Sequence, residues 1–387
     1  MNLGAFQPDN KALIGLFILV LVGAVVFIGP FVASGFFGLS TPPVSKPTYS
    51  IGVVIPLSGS QAPYGEGIRQ GLELAASEIN ASYPFSIQLV FEDNHGEVKE
   101  TVSAVQRLIS TEKPIALITG PSQHAVAVSP LAQTNQIVLY AMASQTKDLE
   151  SAGEFVFRNE GESSLLGQKA AELAKDRGAK TAAVLYANYN ETTVNQKDAF
   201  VSRFGELDGE TTAVESTGKG ETDFRTQLSK IKSTNPDVLF VAQLTNENIP
   251  TLQQVRELGV SSFLLVNGSI ETQEVLDGAK DTAEGVVFVT FSGFPKDSYG
   301  YKIKAKFNEN PKRWSPEAYD GLFIIANAVM NSNENPVTPV GLQKSLNETR
   351  SYCGESGCFS FDENGNAQKP VFIKQVKNGK FVSYLEN

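Results

Sequence analysis

Cysteine and histidine are scarce in this sequence of 387 residues, which contains two of each. Together they would be the bare minimum for one four-ligand zinc site, but His95 and His124 are separated by 28 residues rather than the roughly three to five of a Cys2His2 site. They also leave little material for histidine chemistry. The hydrolase motif GxSxG and the metalloprotease motif HExxH are also absent. Acidic residues outnumber basic ones by 42 to 32, which gives a net charge of −10. This acidic surplus argues against a nucleic-acid partner.

Charged residues are missing between Lys11 and Lys46. Residues 12–28 read ALIGLFILVLVGAVVFI, and a helix of about 20 apolar residues spans a bilayer. The apolar run is longer than that of a signal peptide, typically about 7–15 residues, so we expect an uncleaved transmembrane helix. A long signal peptide, cleaved near residues 32–35, is the alternative. Residues 41–47 contain three prolines and predict an extended tether, so residues 1–49 form the anchor segment and tether.

From residue 50 onward, runs of β-branched residues alternate with segments of helical periodicity. Ser50–Leu57 is typical of a strand buried on both faces. Apolar residues between Ile68 and Ile79 recur at the spacing of one helix face. Strands that alternate with helices in this way favour βαβ units and parallel sheets. Near the C-terminus, Asn378-Gly379 predicts the turn of a β-hairpin.

One glycine motif invites comparison with dinucleotide-binding enzymes. Gly65, Gly67 and Gly71 follow a strand and open a helix, and Glu92 and Asp93 end the next strand, where a ribose-binding acid would lie. However, the spacing is GxGxxxG rather than GxGxxG, and eight residues separate the strand from the first glycine. We therefore expect these glycines to ease helix entry and close packing. We expect no cofactor and no enzyme activity.

The two cysteines, Cys353 and Cys358, enclose only four residues. A metal site would need two more ligands, and a thioredoxin-like motif has two intervening residues. In an oxidising compartment the pair is expected to form a disulfide. The chain-entropy relation gives such a short loop a stabilisation of about 2 kcal/mol.

Residues 51–80, IGVVIPLSGSQAPYGEGIRQGLELAASEIN, resemble the opening of type I periplasmic binding proteins. The nearest subgroup is the Leu/Ile/Val receptors of ABC importers. Five further motifs follow in the family's order, at 120–139, 155–174, 222–241, 318–328 and 359–367. The resemblance covers residues 50–387 and implies an α/β fold of two Rossmann-like lobes. Three crossovers would join these lobes, and the ligand would lie in the cleft between them.

By this resemblance, the first lobe comprises residues 50–158 and 289–352, and the second comprises 159–288 and 353–387. In open parallel sheets, ligands bind beyond the carboxyl ends of the strands. The loops after the first, third and fourth strands are therefore candidates for the site. Their polar residues are Ser58, Ser60, Tyr64, Ser122, Gln123, His124, Ser144, Gln145 and Thr146.

The resemblance also implies roles for individual residues. The family binds a ligand carboxylate through two loops that fall on Ser122–His124 and Met142–Ser144, and its wall-lining tyrosines match Tyr64 and Tyr189. The acid that binds an ammonium group falls near residues 267–269, which are Asn, Gly and Ser. Because of this departure, the predicted ligand is a small polar molecule that is an amino acid, an amide or a carboxylate. The predicted ligand-binding residues are Ser58, Tyr64, Ser122, Gln123, His124, Met142, Ala143, Ser144, Tyr189 and Ser269.

We therefore expect a receptor held at the cell membrane with its soluble part outside the cytoplasm, or secreted if the first segment is cleaved. It would bind a small molecule by closing two lobes around it. Its partners would be the permease and ATPase subunits of an ABC importer. A sensory ectodomain that works with a separate signalling partner is the alternative.

Overall fold

The computed structural model of the chain describes residues 46–59 and 61–384. The predicted membrane anchor, most of the tether and the candidate residue Ser60 lie outside these ranges. Across the described residues, no helix combines the length and apolar character that crossing a membrane requires.

The first part of the chain forms a parallel sheet of five strands in the order β2-β1-β3-β4-β5. The elements are β1 (Thr48–Ile55), α1 (Ala62–Ser82), β2 (Ser86–Asp93), α2 (Val98–Thr111), β3 (Ala116–Thr119), α3 (Ser122–Asn135), β4 (Val138–Ala141) and β5 (Val156–Arg158). Strands β3 and β4 are wholly buried. Their continuous apolar sequences reflect this burial, because helices cover both faces of a parallel sheet.

The next part of the chain begins a second, seven-stranded sheet. Its elements are α4 (Ser164–Asp176), β6 (Thr181–Ala187), α5 (Glu191–Glu206), β7 (Glu210–Thr217), α6 (Arg225–Thr234), β8 (Val238–Ala242), α7 (Thr245–Glu257), β9 (Phe263–Asn267), α8 (Gln273–Ala279) and β10 (Val287–Thr290). The last strands, β14 (Phe372–Lys377) and β15 (Lys380–Ser383), complete the order β15-β14-β10-β9-β8-β6-β7. Asn378 and Gly379 both have positive φ and form the predicted hairpin turn.

Three helices and a small antiparallel sheet lie between β10 and β14 in the chain. They are α9 (Asp297–Phe307), α10 (Ser315–Asn331), α11 (Pro339–Asn347), β11 (Ser351–Gly354), β12 (Gly357–Phe361) and β13 (Ala367–Gln368). Tyr299, Leu322 and Leu342 of the helices share one hydrophobic core with β1 and α1. Phe359 and Phe361 of β12 lie in this core too, so the small sheet packs on the first lobe.

This packing differs from the predicted boundary, which gives residues 353–368 to the second lobe. The apolar face of β12 is buried against the first core, and the chain rejoins the second sheet only at β14. The chain thus passes between the lobes at residues 159–163, 291–296 and 369–371. These three passages match the number of crossovers that we predicted.

A disulfide joins Cys353 and Cys358, which stand opposite each other on β11 and β12. The turn between these strands is bound by Asp320 of α10. The N–H groups of Glu355 and Ser356 donate to its two carboxylate oxygens, at 2.9 and 2.7 Å. Burial raises the pKa of Asp320 to about 6. The disulfide and the carboxylate together hold this turn against the first lobe.

Candidate ligand-binding cleft

A cavity of about 290 Å³ lies between the two lobes. The helices α3 and α5, from opposite lobes, both begin at its wall, with Ser122 and Gln123 on one side and Glu191 to Thr193 on the other. This position, beyond the carboxyl ends of the strands, is where open α/β sheets bind ligands. The positive end of each helix dipole therefore lies at this wall. In α5 the Asn190 side chain caps the helix by accepting from the N–H of Thr193 at 3.2 Å.

The N-terminus of α3 provides donors for an anion. Its N-cap residue is Pro121, and no side chain caps the helix. Among the described residues, no acceptor pairs with the N–H groups of Ser122 and Gln123. The Ser122 Oγ accepts a hydrogen bond from the N–H of Gln145 at 3.1 Å, which leaves its own hydrogen free to donate. A carboxylate placed here would meet two backbone donors and one hydroxyl.

Six of the predicted site residues line this cavity. They are Tyr64, Ser122, Gln123, Ala143, Tyr189 and Ser269. The polar atoms of two of them are already engaged within the second lobe. The Tyr189 hydroxyl donates to Glu247 Oε1 at 2.5 Å, and the Ser269 hydroxyl donates to the carbonyl of Gln243 at 2.6 Å. These two residues shape the wall, whereas Ser122 offers a free donor.

The structure places His124 elsewhere, although the sequence predicted it to contact the ligand. His124 is fully buried on the side of α3 that faces α2, with its Nδ1 at 2.7 Å from Thr101 Oγ1. Each helix residue is rotated by about 100° from the one before it, so His124, two residues after Ser122, lies about 200° around the helix. Its side chain therefore points away from the wall that Ser122 lines. Burial lowers the pKa of His124 to about 4, and the ring is neutral at pH 7.

Three further predicted residues also lie outside the cavity lining. Met142 is buried in the first core, and the Ser144 hydroxyl is fully buried and donates to the carbonyl of Met142 at 3.2 Å. Ser58 lies nearer the surface, where its Oγ is 2.7 Å from His95 Nδ1. Of the loop after β4, Ala143 and Gln145 therefore reach the cavity.

Sequence reasoning gave no ligand role to three residues that the structure brings to the cavity. Glu191, in the first turn of α5, accepts a hydrogen bond from Thr146 of the first lobe at 2.6 Å. Arg313 and Trp314 precede α10, and the Arg313 guanidinium donates to the carbonyl of Gly268 in the second lobe at 2.5 Å. Both hydrogen bonds cross the cleft and hold the lobes together. No local motif signals them, because each joins distant parts of the chain.

The second-lobe wall is neutral where amino-acid receptors would carry an acid. Asn267 donates to Gln196 Oε1 at 2.8 Å and to the carbonyl of Gln243 at 3.1 Å. Glu271, the nearest acid in sequence, does not line this cavity and pairs with Lys374 at 2.5 Å. Among the described residues that line the cavity, Glu191 is the one acid, beside the cations Lys219 and Arg313.

Comparison with known proteins agrees with this architecture. The sequence pattern of the periplasmic binding protein family matches residues 48–380. The Leu/Ile/Val-binding protein homolog 2 of Brucella abortus is 23% identical over 349 residues, covering 86% of this chain and 92% of that protein.

Solved structures share the fold. The leucine-binding protein of Thermotoga maritima superposes with a TM-score of 0.78 at 26% identity, over 87% of this chain and 98% of that one. An ABC-transporter solute-binding protein of Rhodopseudomonas palustris, solved with 3,4-dihydroxybenzoic acid, gives a TM-score of 0.77 at 20% identity, over 87% and 95% of the two chains. This chain therefore belongs to the periplasmic binding protein family, as its motifs predicted, and is a binding protein rather than an enzyme.

Proposed function

We propose that this protein is the extracytoplasmic solute-binding receptor of an ABC importer and that its ligand is a small carboxylate. The free N-terminus of α3 carries the proposal, because two unpaired N–H groups and the Ser122 hydroxyl converge on the cavity. An uncapped helix N-terminus stabilises an anion through both its donors and its dipole. The other ligand-contacting residues in this proposal are Tyr64, Gln123, Ala143, Tyr189 and Ser269.

The size of the cavity supports a ligand of few atoms. Its volume of about 290 Å³ lies just below the range of typical small-molecule sites, which is roughly 300–1,000 Å³. An amino acid or a benzoate is of suitable size. The named relatives include a leucine-binding protein and a protein solved with 3,4-dihydroxybenzoic acid, and a carboxylate is the group that these two ligands share.

Ligand capture would use closure of the lobes. The hydrogen bonds from Thr146 to Glu191 and from Arg313 to Gly268 cross the cleft, so they can form only when the lobes are close together. A ligand that contacts both walls shifts the population toward this arrangement. The permease of the importer would then recognise the closed form.

The location proposed for the receptor is the outer face of the cell membrane. The apolar residues 12–28 would form a transmembrane helix, and residues 41–47 would tether the binding lobes to it. Alkaline carbonate extraction should leave the full-length protein in the membrane fraction. Its release into the soluble fraction would contradict the transmembrane helix and favour a cleaved signal.

Thermal-shift measurements with amino acids, benzoates and short-chain acids test the proposed function. At a ligand concentration of a hundred times Kd, binding adds about 2.7 kcal/mol, which corresponds to a rise in Tm of roughly 5 °C. The Ser122→Ala variant should bind the same acid about tenfold to a hundredfold more weakly, because it loses a charge-assisted hydrogen bond.

A matched control is Ser103→Ala, because Ser103 lies on the exposed surface of α2 and its hydroxyl, within the described ranges, bonds only the carbonyl of Lys99. Its affinity should equal that of the wild type. Mass spectrometry of small molecules released from the purified protein should identify a carboxylic acid. A panel in which no acid raises the Tm would refute the proposed function.

A further inference from the structure

Gly67 and Gly71 of α1 lie in direct contact with the backbone of residues 313–315, where α10 begins. A Cβ atom added to Gly67 would lie 1.8 Å from the carbonyl oxygen of Arg313, and one added to Gly71 would lie 2.1 Å from that of Ser315. Neither position has room for a side chain, so glycine is required at both. The motif that resembles a dinucleotide fingerprint therefore positions residues 313–315.

Further hydrogen bonds fix this segment from both sides. Gln70 of α1 donates to the carbonyl of Asn310 at 3.2 Å and accepts from the N–H of Lys312 at 2.9 Å. The hydroxyls of Tyr299 and Ser315 lie 2.6 Å apart in the core. The backbone on both sides of Arg313 and Trp314 is thus held in one place, as a binding wall requires.

Trp314 combines three unusual properties at the cavity wall. Its φ is 70°, in the left-handed region that bulky side chains avoid and that is often found at functional sites. Its side chain is buried, with 6% of its surface exposed, and lines the cavity. Within the described chain, its indole N–H has no hydrogen-bond partner. Nine buried side-chain atoms of the described chain lack a partner, and the Trp314 N–H is the one donor among them whose residue lines the cavity. Buried donors are nearly always paired, and a ligand oxygen at this wall would supply the acceptor.

Arg313 adds a second set of donors beside the indole. Its guanidinium carbon lies 4.5 Å from the centre of the Trp314 ring, and its one hydrogen bond among the described residues goes to the carbonyl of Gly268. The charge of Arg313 acts on the nearby Glu271 carboxylate, which is itself paired with Lys374. The remaining guanidinium N–H groups are therefore available to an acceptor oxygen.

We propose that Arg313 and Trp314 form a donor platform that binds a second acceptor oxygen of the ligand, apart from the carboxylate held by α3. This inference rests on the proposed function and narrows the ligand class. The ligand is a small carboxylate that also carries a hydroxyl, amide or second carboxylate oxygen. Acids with a purely hydrocarbon remainder leave the platform unpaired and bind more weakly, since an unmade buried hydrogen bond opposes binding.

Two ligand pairs of matched shape test the inference by titration calorimetry: asparagine against leucine, and 4-hydroxybenzoate against benzoate. In at least one pair, the member with the second oxygen should bind wild type at least about tenfold more tightly. Trp314→Phe keeps an aromatic ring and removes the N–H, so it should reduce this preference severalfold. Arg313→Gln provides a second variant with the same expected direction.

The glycine contact is tested with Gly67→Ala, which should displace residues 313–315 and reduce the same preference. Gly300→Ala on α9 is the matched control, because a Cβ there meets no atom within 4 Å.

Equal or tighter binding of leucine and benzoate by wild type would overturn the inference but leave the proposed function intact. A uniform loss for all four acids in Trp314→Phe would also overturn it, because it would indicate a packing role. If none of the acids binds wild type, both the proposed function and this inference are wrong.

Discussion

A buried ion pair joins two of the three passages between the lobes, and its removal should be costly. Lys369, in the third passage, lies 2.8 Å from Glu160 in the first, and their side chains are 0% and 1% exposed. Glu160 also accepts a hydrogen bond from Gln145, which lines the cavity, at 3.2 Å. The pair thus connects the hinge to the ligand-binding wall.

The Lys369→Met variant would leave the Glu160 carboxylate buried without a counter-charge. Breaking a buried pair in this way costs about 3–5 kcal/mol of unfolding free energy. Burial already raises the pKa of Glu160, and without Lys369 the carboxyl would take up a proton more readily. A carboxyl whose pKa is higher in the folded state than in the unfolded state lowers the stability of the fold as the pH rises above the unfolded-state pKa. The deficit of the variant should therefore grow between about pH 4.5 and 7.

Urea unfolding at pH 7 measures this cost. The double variant Glu160→Gln/Lys369→Met removes both charges and should recover most of the lost stability, because a buried pair adds little net stability over neutral groups. The control is Lys302→Met, which breaks an exposed pair with Glu78 at 3.1 Å and should cost less than about 1 kcal/mol. A loss below about 1 kcal/mol in Lys369→Met, or no recovery in the double variant, would refute this reasoning.

Three other predictions concern separate parts of the fold. Burial lowers the pKa of His124 from 6.5 to about 4. Neutral His124 therefore stabilises the folded state fully above pH 6.5, and this stabilisation is lost as the pH falls toward 4. Linkage gives a decrease in unfolding free energy of about 2 kcal/mol between pH 7 and 5. Urea unfolding should show this loss in wild type and not in His124→Gln, and equal pH dependence of the two would contradict it. Replacing Cys353 and Cys358 by serine should cost about 2 kcal/mol and lower the Tm, whereas an unchanged Tm would argue against the disulfide. Thr146→Val removes the hydrogen bond to Glu191 across the cleft and should speed ligand release about threefold to tenfold in stopped-flow measurements, and an unchanged rate would show that this contact does not hold the closed form.

The overall architecture could be predicted because it depends on repeated local patterns. Alternating strand and helix periodicities indicate parallel sheets, and the motifs between residues 51 and 367 indicate the two lobes. The boundary at residue 353 was misplaced for the strand that carries Phe359 and Phe361, which lie in the first core. An apolar strand of five residues shows that one face is buried, but not which of two cores covers it.

The candidate site could be predicted only at the level of loops. Ser122 and Gln123 line the cavity, whereas the side chain of His124 is buried against α2. Arg313 and Trp314 reach the cavity through backbone contacts with the glycines of α1, more than 240 residues earlier in the chain. Such a contact depends on the packing of two helices and has no signature in either segment alone.

The claim that most needs testing is that the N-terminus of α3 binds the carboxylate of a small ligand between the lobes. Calorimetric titration with an acid and its primary amide, such as 4-hydroxybenzoate and 4-hydroxybenzamide or asparagine and asparaginamide, isolates that group. We predict that the acid of at least one pair binds about a hundredfold more tightly than its amide, because only the carboxylate accepts from all three donors with a full negative charge. Equal affinities of acid and amide, with measurable binding of both, would contradict it.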